Sequence, residues 1–389
     1  MVSPENAVKR WSEIDALRGL MLVLMTLTHL PTRFSDPLGQ PFGFVSAAEG
    51  FVFLSAFMAG YIFAGRAMKD GVHAMRDAFL RRAARIYSCH VGMLLFLFTI
   101  VAAIGISTDR QTIKHLISFY LNDPVTALVS SLFLIYNPPL LDILPLYVVF
   151  MLLSPWLMIA ALRLSWTPIL LASGMIWLCA QFGLDREIYE AVATVTGLKV
   201  PFHETGAFDI LAWQFIWIFG LWFGVRNATA WFPAQKLPPL LCALALAVGI
   251  TGFLARHIMG QAPFGNHPML AALLDKWHLG PLRVINFLAL VVLTLRFGNV
   301  LKAALRYRFL EILGAASLPV FCVHLIVVLL ALAAVGDQQG STSLWLDTTL
   351  VTVAFFAMYM TAWIFQPRQA TKPTSRPGNQ PTINARVAR

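Results

Sequence analysis

The sequence predicts an all-α fold, a polytopic transmembrane helical bundle of about ten spans with one short re-entrant segment. Of the 389 residues, 58% are hydrophobic and only 12% are charged, whereas a soluble domain is nearer a quarter charged. Apolar runs of about 20 residues, enough to cross a hydrocarbon core, recur along the whole length. The basic residues cluster between those runs instead of forming one patch. The formal net charge of +10 is therefore read as topology determinants and lipid-headgroup contacts. A lipid bilayer is the expected partner, and no nucleic acid is.

Apolar segments fall near 15–33, 44–65, 86–106, 122–136, 143–162, 167–183, 208–225, 237–256, 281–297, 310–335 and 344–365. Lys9 and Arg10 precede the first. Arg66, Lys69, Arg76, Arg81, Arg82 and Arg85 separate the second from the third, and Lys302, Arg306 and Arg308 mark a later loop. By the positive-inside rule these loops and both termini are cytoplasmic, which demands an even number of crossings. Segment 122–136 runs straight into Asn137, Pro138 and Pro139. At about 1.5 Å per residue it is too short to cross comfortably, so it is read as re-entrant and the other ten as spans. This topology puts Arg163 inside and Asp185, Glu187 and Glu190 outside. Residues 1–366 make one membrane domain. Residues 367–389, with Arg368, Lys372, Arg376, Arg386 and Arg389 among Pro, Thr and Asn, read as a disordered basic cytoplasmic tail. The VSAA stretch near residue 47 lies too far past Leu30 for signal cleavage, so the first span is read as uncleaved. Cys89, Cys179, Cys242 and Cys322 lack metal-type spacing and read as buried small hydrophobes; no metal site is expected.

Arg18 and His29 are eleven residues apart in the first span. That spacing returns a helix to within about 20° of its starting direction and raises it roughly 16 Å. A fixed cation and an imidazole thus share one face near opposite ends of the span. Ionisable groups at such positions are costly and mark function. Asp15 lies three residues before Arg18, as a helix-surface neighbour. Glu49 and His324 sit in the outer halves of their spans. Asp142, Asp209, Gln214, Asp275, Lys276 and Arg283 lie near external helix ends, and together these residues form a polar seam. Histidine suits the removal of a hydroxyl proton, with Glu49 or His324 available to orient His29. Arg18 and the cytoplasmic loop arginines offer the fixed positive charge that the phosphates of a donor such as coenzyme A need, and Asp15, beside Arg18, is placed in the same donor site. Gln214, Asp275, Lys276 and Arg283 are candidates for holding substrate. Blander readings stand beside these: Asp15 and Arg18 as a snorkelling anchor, Trp213 as an interface anchor, and Gly50, Gly60 and Gly65 as packing residues. A proton-coupled transporter or flippase would use the same His, Glu and Arg residues, although no repeat of the kind common in transporters is visible.

The pattern IDALRGLMLVLMTLTHLP, with ten residues between Arg18 and His29, resembles the signature of the integral-membrane acyltransferase type three superfamily. GFVSAAEGFVFLSAFMAG (43–60), DILPLYVVFMLLSPWL (142–157), FDILAWQFIWIFGLWFG (208–224), DKWHLGPLRVINFLAL (275–290) and LGAASLPVFCVHL (313–325) resemble the OpgC family more closely. The resemblance implies a bacterial inner-membrane O-acyltransferase. Such an enzyme passes an acyl group, succinyl in the founding members, from cytosolic acyl-CoA to a periplasmic glucan or related envelope glycan. It implies that Arg18 and His29 are the essential arginine and histidine, with His324 in the late HL-type motif. Acyl-CoA, with succinyl-CoA first, would be a donor substrate and not a permanently bound cofactor. The family's LSG-like motif reads LSA at 54–56 here, a change that bears on packing.

Overall fold

Every regular element among the described residues is a helix, the form that satisfies all backbone polar groups within one lipid-facing segment. The computed structural model describes residues 11–366, except 230–236, 266, 299, 302–304, 306 and 337–342. Lys9, Arg10, Lys302, Arg306 and the tail from 367 onward lie outside the described residues.

Helix α1 (Ser12–His29) ends on the histidine that the sequence singles out. Helix α2 (Ala47–Phe96) starts from a capping box between Ser46 and Glu49 and is broken at Gly71, where φ is 87°. That left-handed conformation suits glycine. Phe63 and Phe79, which a straight helix would hold roughly 24 Å apart, instead pack with ring centroids 4.2 Å apart. The chain therefore folds back at Gly71. A π-helical turn (Leu97–Val101) and a short helix (Ala102–Ser107) continue the second arm.

Helix α3 (Pro124–Leu132) has nine residues, too few to cross a bilayer at about 1.5 Å per residue. Tyr87 ties it to α2 by donating to the Leu132 carbonyl at 2.9 Å. The long helices that follow are α4 (Ile143–Leu164), α5 (Trp166–Ala180), α6 (Leu184–Thr196), α7 (Ile210–Ala228), α8 (Pro239–Met259) and α9 (Pro281–Arg296). After α10 (Arg308–Ala315) come α11 (Ser317–Val335) and α12 (Leu344–Phe365).

Small residues let the central helices touch backbone to backbone, as membrane packing favours. A Cβ on Gly60 would sit 2.3 Å from the Leu221 carbonyl oxygen, and one on Gly224 2.0 Å from that of Phe57, so α2 and α7 interlock. At Gly19 and Gly314 the same test puts a Cβ 2.1 Å from the Leu310 oxygen and 1.7 Å from the Asp15 oxygen. Hence α10 lies hard against the Arg18 end of α1.

Among the described residues, five helices are long and apolar enough to cross a membrane: Ala47–Ser107, Ile143–Leu164, Pro239–Met259, Ser317–Val335 and Leu344–Phe365. There are six if α5 and α6, bent by 79°, form one broken span. The expected ten is not established on this ground. Two of the expected spans join in Ala47–Ser107; α5 and α9 have only 15 and 16 residues; α1 carries Glu13, Asp15 and Arg18. Two smaller expectations are corrected. Cys179 is exposed and no cysteine is fully buried. Trp213 is no interface anchor: it is 0% exposed, and its indole N–H donates to the Trp277 carbonyl at 2.9 Å.

Candidate functional site

The shared stripe on α1 faces the protein interior, and its two ends open into different cavities. Arg18, with a side chain 11% exposed, lines a cavity of about 650 Å³ together with Arg82, Arg85, Ser317, Tyr147 and Phe51. It donates to the Ser317 hydroxyl and lies 3.9 Å from Asp15. Its guanidinium stands 5.9 Å from the Phe51 ring centroid, a cation–π contact. Among the described lining residues there are three arginines and no carboxylate. Such a chamber suits an anion.

His29 lines a second cavity of about 650 Å³, with Asp36, Gln40, Asp142, Gln261 and Lys276. Its Nδ1 lies 3.4 Å from Nε2 of His324, which is fully buried. The His324 Nδ1 is 2.7 Å from the Phe321 carbonyl oxygen. A carbonyl only accepts, so in the neutral ring His324 Nδ1 carries the proton and its Nε2 is the acceptor. His29 Nδ1 must then donate to it, and the lone pair of His29 Nε2 is left free. The pair thus fixes His29 in the tautomer a general base requires, the orienting task usually given to a carboxylate.

Ile143 and Phe321 line both cavities. The Phe321 ring stacks on Phe51 with centroids 6.0 Å apart and meets the His324 ring edge-on at 4.9 Å. One aromatic layer therefore separates the arginine chamber from the histidine chamber. The residue that forms that layer also holds His324 by its carbonyl.

The remaining candidates divide. Lys276 joins His29, and its nitrogen lies 4.4 Å from the Trp277 ring centroid. Burial pushes the Lys276 ammonium below its ordinary range, against the attraction of Glu49. Asp142 faces the same cavity and accepts from the Ala207 N–H at 3.0 Å. Burial pushes its carboxyl up to about 6, opposed by that hydrogen bond.

Glu49 does not orient His29. Its carboxylate accepts from the Ser46 N–H at 3.0 Å, from the Ser46 hydroxyl, and from Arg283 at 2.9 Å. Both Glu49 and Arg283 are buried to within 1%. Arg283 also donates to the carbonyls of Phe44 at 2.5 Å and Leu274 at 3.3 Å and lines neither cavity. The helix start and the guanidinium use up the carboxylate, which makes a buried structural pair that sets the loops above α2 and α9. Gln214 is likewise spent: its amide exchanges hydrogen bonds of 2.7 and 2.8 Å with Ser173, tying α7 to α5. Asp275 bonds His278 at 2.6 Å, and Asp209 caps α7 through the Leu211 N–H at 2.7 Å.

Sequence reasoning missed the Phe51–Phe321 layer, since two phenylalanines in apolar runs carry no signal. It also missed the pair between Arg33 and fully buried Asp347, 2.7 Å apart. An aspartate at the start of an apolar run was the available clue.

The described residues form only helices, five of them long and apolar enough to cross a membrane, and ionisable side chains from distant helices meet at two cavities. These are the features of a membrane protein with a candidate site inside its bundle. The family model described as OpgC protein matches residues 10–370, nearly the whole chain, and the chain belongs to that family. By class it is a membrane transferase. No curated protein and no solved structure matches it.

Proposed function

We propose that this chain is an inner-membrane O-acyltransferase that moves a succinyl group from cytosolic succinyl-CoA to a hydroxyl of a periplasmic glucan or related envelope glycan. The observation that carries this reading is the His29–His324 pair, with His29 lining a polar chamber one aromatic layer from an arginine chamber. The arginines of α2 on either side of its break at Gly71 argue that the Arg18 end and both termini face the cytoplasm. Arg18, Arg82 and Arg85 then meet the phosphates of the donor, for which guanidinium groups are suited. The acyl-pantetheine arm reaches past Phe51 and Phe321 toward His29.

His29 Nε2 takes the acceptor hydroxyl proton as that oxygen attacks the thioester carbonyl. The C–S bond then breaks, and the leaving thiolate recovers the proton from the imidazolium, so the enzyme ends unchanged. His324 holds the imidazole throughout. Lys276, in the same cavity, receives the free carboxylate of the succinyl group.

The test uses inverted vesicles with glucan trapped inside and labelled succinyl-CoA outside. Wild type should label the glucan, and His29→Ala should lose about 10²- to 10⁴-fold in rate, the usual contribution of a general base. Undiminished labelling by His29→Ala ends the assignment. The two-chamber arrangement also suits a proton-coupled transporter. That reading requires solute accumulation with no covalent change to the glucan, which mass spectrometry of the trapped polymer distinguishes.

A further inference from the structure

At the His29 end of the bundle, outside both cavities, three side chains from separate parts of the sequence converge. Asp185 opens α6, Asp209 caps α7, and His278 stands in the loop before α9. One carboxylate oxygen of each aspartate and one ring nitrogen of His278 lie within 4.8 Å of one another.

Two further observations point to a ligand. Asp209 is 8% exposed, and its Oδ2 has no hydrogen-bond partner; neither does the buried Oδ1 of Asp185. Facing carboxylates with buried, unsatisfied oxygens are costly unless a positive charge lies between them. The second is the setting of His278. Its Nδ1 is bonded to Asp275 at 2.6 Å, and its backbone N–H donates to the same carboxylate at 2.9 Å. Its carbonyl accepts from Gln181 at 2.7 Å. The ring is therefore oriented by a carboxylate through Nδ1, which leaves Nε2 as the nitrogen open to a ligand. That is the outer-shell arrangement that metal-binding histidines show.

The geometry points to a divalent transition-metal site, Zn²⁺ in type, formed by Asp185, Asp209 and His278 with Asp275 behind the imidazole. Two oxygens and one nitrogen suit such an ion, with water completing four-coordination. Ligand atoms about 2.1 Å from one ion lie roughly 3.4 Å apart, so closure from the present spacing needs side-chain rotations of about an ångström. No motif announces the site because its ligands are distant in sequence. Its place suggests its work: the ion would staple the loop carrying Lys276 and Trp277 to α6 and α7. That loop is already held where the Asp209 N–H donates to the Trp277 carbonyl at 3.2 Å. The site stands independently of the acyl-transfer reading, since its test needs no substrate.

Full-length protein without a polyhistidine tag is purified in detergent, stripped with EDTA, and titrated with Co²⁺ and then Zn²⁺. Wild type should give visible d–d absorption with cobalt and retain one zinc per chain after desalting. Its thermal midpoint should rise by a few degrees with zinc, as binding to the native state requires. His278→Ala should abolish all three signals. Asp209→Asn keeps a helix-capping side chain and should weaken binding at least about tenfold, and Asp275→Asn about 10- to 100-fold, as outer-shell changes do. The proposal is overturned if wild type retains no stoichiometric zinc, in which case a protonated His278 alone neutralises the carboxylates. Equal binding by wild type, His278→Ala and Asp209→Asn overturns it too.

Discussion

The two chambers on either side of Phe321 have the same volume, about 650 Å³, but opposite chemistry. The Arg18 chamber combines three arginines with an apolar wall and, among its described lining residues, no acid. Its charge does not change with pH in the working range. The His29 chamber mixes an imidazole, two aspartates, a lysine and amides, groups that can gain or lose protons and exchange hydrogen bonds. Fixed charge can hold a phosphorylated ligand but cannot take a proton from a hydroxyl; the titratable set can. Under the proposed function, binding and proton transfer would be segregated along one helix, with Phe321 lining both chambers between them.

The largest expected effect tests the buried Glu49–Arg283 pair, which lines neither chamber. Glu49→Ala leaves Arg283 charged and buried, which costs about 3–5 kcal/mol for a broken buried pair. Folded protein recovered in detergent should fall sharply. The double change Glu49→Gln with Arg283→Met should restore it, together with labelling of glucan. Recovery of fold without activity would return Glu49 to the reacting groups and break the division drawn above.

Within the chambers, Arg18→Lys should raise KM for the acyl-CoA roughly 10- to 100-fold, the worth of a charge-assisted hydrogen bond, with kcat little changed. His324→Phe should do the converse, lowering kcat while KM holds. If both variants change the same constant, the chambers do not have separate tasks. A smaller effect is expected of Lys276→Met, which removes the charge facing the acyl group. Succinyl-CoA should lose about tenfold in kcat/KM relative to acetyl-CoA, as a lost ion-paired contact implies; an unchanged ratio would remove Lys276 from acyl selection.

The smallest effect concerns pH. Asp142 is pushed up to about 6 by burial, so its ionisation opposes folding. Stability from this group is greatest in acid, declines as pH rises from about 4 to 6, and stays at its reduced level above that. Asp142→Asn should flatten that decline in thermal unfolding scans, raising the midpoint at pH 7 but not at pH 4. Parallel curves for variant and wild type would show that Asp142 is not buried as described.

Arg18 and His29 were legible in sequence because both lie on one helix, where local periodicity fixes their common face. Glu49 was legible as a buried acid but not as the partner of Arg283, 234 positions away. Nor was His324 distinguishable from Glu49 as the group that orients His29. Gln214 looked like a substrate ligand only because its tie to Ser173 lies on another helix. The zinc-type cluster escaped for the same reason.

By itself the sequence determined that the chain lives in lipid, that its regular structure is helical, and that a cation and an imidazole share a stripe. Hydropathy and the helical repeat are local properties that any neighbourhood would respect. Only the tertiary structure decided where α2 turns back, which acid meets which base, and that an aromatic layer divides the interior. Those outcomes depend on helices distant in the chain packing at glycine contacts, where the direction of each side chain is set by its neighbours.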